Sequence, residues 1–214
     1  MRIDLFADPA CPWCRIGKRH LELALEQWQG QPVEVHYRAF MLNPAIPAEG
    51  HEFRPYMQSK VGGDMPLEQL FAVPRDRGAA VGLCFNFEQM ERAPNTLPAQ
   101  RLVAITPPDR RGALLDTLYA AYFEHGQDIG DLQTLLRIAA DHGLDPDWTR
   151  EQLQGNAGRA EVLEDLQFAH QAGISGVPFF AFDERYAVSG AQPPATLLAV
   201  MRQVADGAVE HSAA

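Results

Sequence analysis

The sequence predicts an α/β protein in which a block of helices interrupts a small sheet. Strand, helix and strand signals follow one another within the first forty residues. Helical periodicity then continues from about residue 52 to 171, and strand signals return at 177–189 ahead of a last helix. A strand–helix–strand unit builds parallel strands, so the opening and closing segments are expected to share one sheet.

Ile3 to Ala7 is a short apolar run, read as a buried strand. Cys14, Gly17, Leu21, Leu25 and Trp28 then recur at three- and four-residue spacing, one helix face that ends near Gly30. Val33, Val35 and Tyr37 alternate with Glu34, His36 and Arg38, the period of a strand. In the middle block, Leu114, Leu115, Leu118, Tyr119 and Tyr122 mark one amphipathic helix. Leu132, Leu135, Leu136 and Ala139 mark another behind Asp131, a candidate cap. Gly62-Gly63, Pro107-Pro108 and Gly155 punctuate the block. Val177–Phe182 and Tyr186–Ser189 read as strands joined tightly through Asp183-Glu184-Arg185, and the last helix is expected from about Pro194 to Ala205. The domain division expected is 1–50 plus 172–214 for the α/β part, with 51–171 as the helical insertion.

At 214 residues the chain suffices for one well-buried domain with an insertion, and 46% apolar and 21% charged residues are ordinary for a globular protein. The net charge of −10 and the lack of any Lys/Arg run argue against nucleic-acid binding. Asp4 and Asp8 break the N-terminal apolar run before it reaches signal-peptide length, and no stretch approaches the roughly 18 apolar residues of a membrane span. The expected location is therefore the cytoplasm. Three cysteines in a chain this size do not make a disulfide scaffold, and in a reducing compartment a close pair points to redox or metal chemistry.

Cys11 and Cys14 form that pair, within Ala10-Cys11-Pro12-Trp13-Cys14 where the first strand gives way to a helix. Unpaired N–H groups and partial positive charge at a helix N-terminus stabilise a thiolate, the nucleophile of disulfide exchange. Cys11 falls at the helix tip, with Pro12 suited to a first-turn position, while Cys14 begins the buried stripe. Residues three apart on a helix are close enough for a disulfide, so Cys11 is expected to attack and Cys14 to resolve. Trp13 offers a thiol no charge and no acceptor, so the couple is expected to be less oxidising than a Cys-Pro-His-Cys centre. Arg15, Lys18 and Arg19 read first as the wet face of the helix and second as support for the thiolate. A zinc half-site would need two further ligands, and neither a second Cys pair nor a His pair supplies them. No metal is expected.

Several further segments carry a resemblance. They are Asp8–Cys14, Leu42-Asn43-Pro44, Gly82–Phe87, Pro94–Leu102, Gly176-Val177-Pro178-Phe179-Phe180 and Val188–Gln192, in this order along most of the chain. Together they resemble the DsbA-type thioredoxin-fold family, and within it the FrnE-like dithiol–disulfide isomerases. The resemblance implies a thioredoxin-like fold with an inserted all-helical domain. It also implies that the Val177-Pro178 loop lies beside the cysteines, with Val177 offering backbone groups to an extended substrate. Pro12, Trp13, Val177, Pro178 and Asn95 are then the expected substrate-contacting residues, Thr96 being assigned to a helix cap. Gln100 stands where the family commonly has histidine, which puts any proton-handling role there in doubt. Some members have a second cysteine pair, whereas this chain has only Cys84, read as a small buried apolar residue.

The expected activity is thiol–disulfide oxidoreduction or isomerisation on a thiol- or disulfide-containing protein or small molecule. No bound cofactor is expected, and glutathione is a candidate reductant. Rival readings are a glutathione-dependent isomerase or kappa-class-like glutathione transferase, which a complete Cys11/Cys14 pair opposes, and a non-catalytic redox sensor. A couple at roughly −120 mV in a cytosol near roughly −250 mV would be held reduced, since about 30 mV corresponds to a decade. A cytoplasmic enzyme of this type is thus expected to reduce or isomerise disulfides. Substrate and oligomeric state are not legible in the sequence.

Overall fold

The computed structural model describes residues 1–61 and 65–212, with side chains described to residue 207. The expected break at Gly62-Gly63 lies outside the described residues. Strand β1 (Arg2–Ala7) leads into α1 (Pro12–Glu26) and β2 (Glu34–Ala39). The inserted block follows: β3 (His51–Glu52), α2 (Phe53–Lys60), α3 (Leu67–Ala79), β4 (Arg92–Ala93), α4 (Leu97–Ile105), α5 (Pro108–Phe123), α6 (Leu132–Asp141), α7 (Pro146–Gln154) and α8 (Arg159–Gln171). Strands β5 (Phe179–Phe182) and β6 (Tyr186–Ser189) and helix α9 (Pro194–Ser212) close the chain.

The sheet runs β2-β1-β5-β6, with β1 and β2 parallel and the other pairs antiparallel. Period-two alternation decides which face each β1 residue serves. Ile3, Leu5 and Ala7 enter the main core with Cys14, Leu21, Phe180 and Leu197. Phe6 points to the opposite face, packing with Ala169 and Ile174 and stacking on Phe168 of α8 at 5.7 Å. Helices α1 and α9 pack together, while α8 lies against β2 and α4. Asp165 ties that second face to the sheet by accepting the Ala39 N–H at 2.7 Å and pairing with Arg38. The turn between β5 and β6 places Asp183 and Glu184 at positive φ.

The insertion is not purely helical. A two-residue ladder pairs His51 with Ala93 and Glu52 with Arg92. Periodicity cannot detect strands that short, because one alternation of side chains is no pattern. The expected cap at Asp131 accepts the Thr134 N–H at 2.8 Å, and Asp145, not singled out in the sequence, accepts that of Trp148 at the same distance. Helix α9 extends past the expected end at Ala205 to Ser212. No helix among the described residues is long and apolar enough to cross a membrane.

Candidate active site

Cys11 is the N-cap of α1, and its sulfur accepts the Cys14 N–H at 3.3 Å. Pro12 occupies the first turn, where its missing N–H costs nothing. The Cys11 thiol in turn donates to the Val177 carbonyl at 3.8 Å. The Val177–Pro178 peptide is cis, and its strand continuation, β5, pairs with β1. A Cβ on Gly17 would stand 2.5 Å from Pro178 Cγ, so the absent side chain is what lets this loop close onto α1. Sequence reading placed Gly17 on the buried helix face but not its reason for being glycine.

Both cysteines are free thiols, Cys14 wholly buried and Cys11 3% exposed. Burial pushes the Cys14 thiol well up from its ordinary value, and the neighbouring Cys11 sulfur adds to this through hydrogen bonding and charge. Cys14 is therefore held as a thiol until its environment changes. The Tyr119 hydroxyl is fully buried without a hydrogen-bond partner among the described residues. Burial raises its pKa well above the ordinary value, with the charges of Cys14, Cys11 and Asp8 adding to this.

Asp8, three residues before Cys11, is the ionisable group that sequence reading left unassigned. It is 2% exposed. Its Oδ1 accepts the Ala10 N–H at 3.0 Å and its Oδ2 the Leu42 N–H at 2.7 Å. Burial raises its pKa from 3.8 to about 6, against the lowering effect of those two N–H groups and the Thr96 hydroxyl. Only the fold shows this, since Leu42 and Thr96 are distant in sequence.

The polar side chains around the α4 start are engaged locally. Asn95 Oδ1 accepts the Leu97 N–H at 2.9 Å and its Nδ2 donates to the Ile46 carbonyl at 2.6 Å. Thr96 sits at the N-cap position but makes no capping bond, its hydroxyl serving Asp8 instead. An Asx-type bond to the second N–H satisfies the helix end from one residue earlier, which frees Thr96 to turn inward. Gln100 is buried and donates to the carbonyls of Ala7 and Phe40 at 2.9 and 2.8 Å, joining α4 to the ends of β1 and β2. Cys84 is exposed rather than buried, its thiol directed to Asn86 Oδ1 at 3.4 Å.

The basic residues after the pair also differ from a wet helix face. Arg15 and Lys18 are 7% and 2% exposed. Arg15 pairs with Glu124 and donates to the Cys84 carbonyl at 2.7 Å, while Lys18 reaches Asp116 at 2.6 Å. They fasten α1 to the inserted helices, a use that helical spacing cannot reveal.

Beside the motif lies a cavity of about 390 Å³. Ala10, Pro12 and the 38%-exposed Trp13 form one side, and residues of α2, α3 and α5 together with the segments around Leu42–Ile46 and Phe87–Thr96 form the rest. Among the described residues no group of three or more His, Cys, Asp or Glu is placed to hold a metal.

Residues 2–202 match the model of the DSBA-like thioredoxin domain family. A probable DsbA oxidoreductase from Streptomyces coelicolor superposes with a TM-score of 0.87 and 33% identity, covering 95% of this chain and 89% of that one. The cytosolic disulfide reductase DsbM of Pseudomonas aeruginosa, solved with GSH, shares the fold at a TM-score of 0.59 and 20% identity over 94% of this chain and 100% of its own. The uncharacterized protein YwbO of Bacillus subtilis (strain 168) is 25% identical over 183 residues, 84% of this chain and 86% of that protein.

Proposed function

The chain belongs to the DSBA-like thioredoxin domain family, an enzyme of the disulfide oxidoreductase and isomerase kind, and on that premise we propose how its own residues carry the exchange. The observation that carries the reading is the position of the Cys11 sulfur. It caps α1, accepts the Cys14 N–H and lies against the Val177 carbonyl. The helix terminus favours negative charge there, so Cys11 acts as the nucleophilic thiolate. Attack on a substrate disulfide forms a Cys11–substrate bond and releases the other substrate sulfur as a thiolate. Cys14 then gives up its proton, attacks the Cys11 sulfur and releases the second substrate sulfur. Two electrons pass from the protein pair to the substrate.

Burial of Cys14 supports this division of labour, since a group held as a thiol cannot compete with Cys11 for the first attack. The Val177 carbonyl and N–H suit an extended substrate strand, and Pro12 and Trp13 suit contacts on the other side. The net direction proposed is reduction or isomerisation in the cytoplasm, with a glutathione-type thiol restoring the dithiol.

The test is a trap. A Cys14→Ser variant should accumulate a stable Cys11 mixed disulfide with substrate or with glutathione, and a Cys11→Ser variant should accumulate none. Adducts on Cys14 or Cys84 in place of Cys11, or undiminished disulfide turnover by Cys11→Ser, would refute the assignment. Conjugation of glutathione to an electrophile without disulfide turnover would support the transferase alternative instead.

A further inference from the structure

We infer that the cavity beside the cysteine motif is a binding site for a small aromatic thiol or disulfide that carries an acidic group. The inference rests on the disulfide-exchange reading above and names its substrate class. Protein interiors are packed with few voids larger than a water molecule. At about 390 Å³ this cavity falls at the lower end of the range for small-molecule pockets, roughly 300–1,000 Å³, which fits a ligand of about two or three rings.

Its walls define the ligand's chemistry. Trp13, Leu42, Ile46, Met57, Leu70 and Met90 present mostly aromatic, branched and thioether surface. An apolar body gains by leaving water for such walls, and methionines adapt to its outline. Two ionic side chains border the space. Asp8 has its carboxylate oxygens engaged by the Ala10 and Leu42 N–H groups and by Thr96, so it has little left for a ligand cation. Lys60 is exposed on α2, its Nζ 5.1 Å from the Tyr56 ring centroid, and has no ion pair among the described residues. An apolar anion matches this pair of environments, with its rings inside and its acid towards Lys60.

The cavity also reaches the residues on either side of the reacting sulfur. Ala10 and Pro12, the neighbours of Cys11 on either side, both line it. A seated aromatic disulfide would form a bond from one sulfur to Cys11 and expel the other half as its thiolate. Cys14 would complete the reduction as above, leaving two aromatic thiols and the Cys11–Cys14 disulfide.

The test uses three aromatic probes on the pre-reduced protein carrying Cys84→Ser, which removes the exposed thiol. The non-reacting aromatic anion 1-anilinonaphthalene-8-sulfonate should bind at one molecule per chain and slow, competitively, the single-turnover reaction with 5,5′-dithiobis(2-nitrobenzoate). Leu70→Trp, which fills the cavity, should weaken anion binding about tenfold or more. Lys60→Gln, on the surface, should weaken it about threefold while leaving binding of the uncharged N-phenyl-1-naphthylamine unchanged. Phe168→Ser, on the far sheet face, should alter neither. Unsaturable binding, or binding indifferent to both Leu70→Trp and Lys60→Gln, or no competition with the aromatic disulfide, would overturn the inference. Reduction of bis(2-hydroxyethyl) disulfide is the separate gauge. If it proceeds while the aromatic probes fail, only the cavity assignment falls; if it does not proceed, the exchange reading itself falls.

Discussion

Replacing Asp8 by asparagine should change how the stability of the protein depends on pH. The folded state raises the Asp8 pKa from 3.8 to about 6, chiefly by burial. The native chain therefore holds this proton more tightly than the unfolded chain does. Below about pH 3.8 both states are protonated and Asp8 costs nothing; as pH rises through about 6, folded Asp8 must ionise in a buried place and stability is lost. At about 1.4 kcal/mol per pH unit the full cost is about 3 kcal/mol, of which about 2 kcal/mol develops between about pH 4.5 and 7.5. Asp8→Asn cannot ionise, and it also leaves one of the Ala10 and Leu42 N–H groups facing an amide NH₂. That second effect is independent of pH, so it shifts the variant by a constant. Urea unfolding of both reduced proteins across this range should show the variant gaining about 2 kcal/mol on the wild type. A difference that stays constant within about 0.5 kcal/mol would show that Asp8 titrates alike folded and unfolded, and would refute the reasoning.

Gly17→Ala places a Cβ 2.5 Å from Pro178 Cγ and 3.3 Å from the Phe180 ring, so it should destabilise by about 1–2 kcal/mol despite the better helix propensity of alanine. Its disulfide turnover should fall as well, because the loop that moves carries the Val177 carbonyl beside Cys11; a variant as stable and active as wild type would count against the close packing. Gln100→Leu removes two buried hydrogen bonds, to Ala7 and Phe40, and should cost about 2 kcal/mol in urea unfolding while exchange at Cys11 persists. Arg101 donates to the carbonyls of Gln152, Leu153, Gly155 and Ala157 at the end of α7. Arg101→Met should cost about 3 kcal/mol, and hydrogen exchange should show the loss concentrated around α7.

Local chemistry explains what was legible without coordinates. Cys11 and Cys14 three residues apart, behind a strand and with proline between them, are enough to place a sulfur at a helix tip. The cap at Asp131, the apolar run of β1 and the alternation in β2 are likewise properties of short stretches. The sequence by itself thus determined the order of the main elements and the place of the cysteine pair at the start of α1.

Tertiary structure decided the rest, and for one physical reason: burial and partner choice depend on residues far away in the chain. Asp8 becomes a carboxyl titrating near 6 because the fold buries it, against the lowering effect of the Leu42 N–H and the Thr96 hydroxyl. Arg15 and Lys18, spaced like a solvent face, are buried because α5 and the turn after it bring Asp116 and Glu124 against them. Asn95 bonds the Ile46 carbonyl and Thr96 bonds Asp8, partners that only the folded chain brings to the start of α4. The cavity is assembled from the motif, three inserted helices and their loops, so no single stretch of sequence contains its shape.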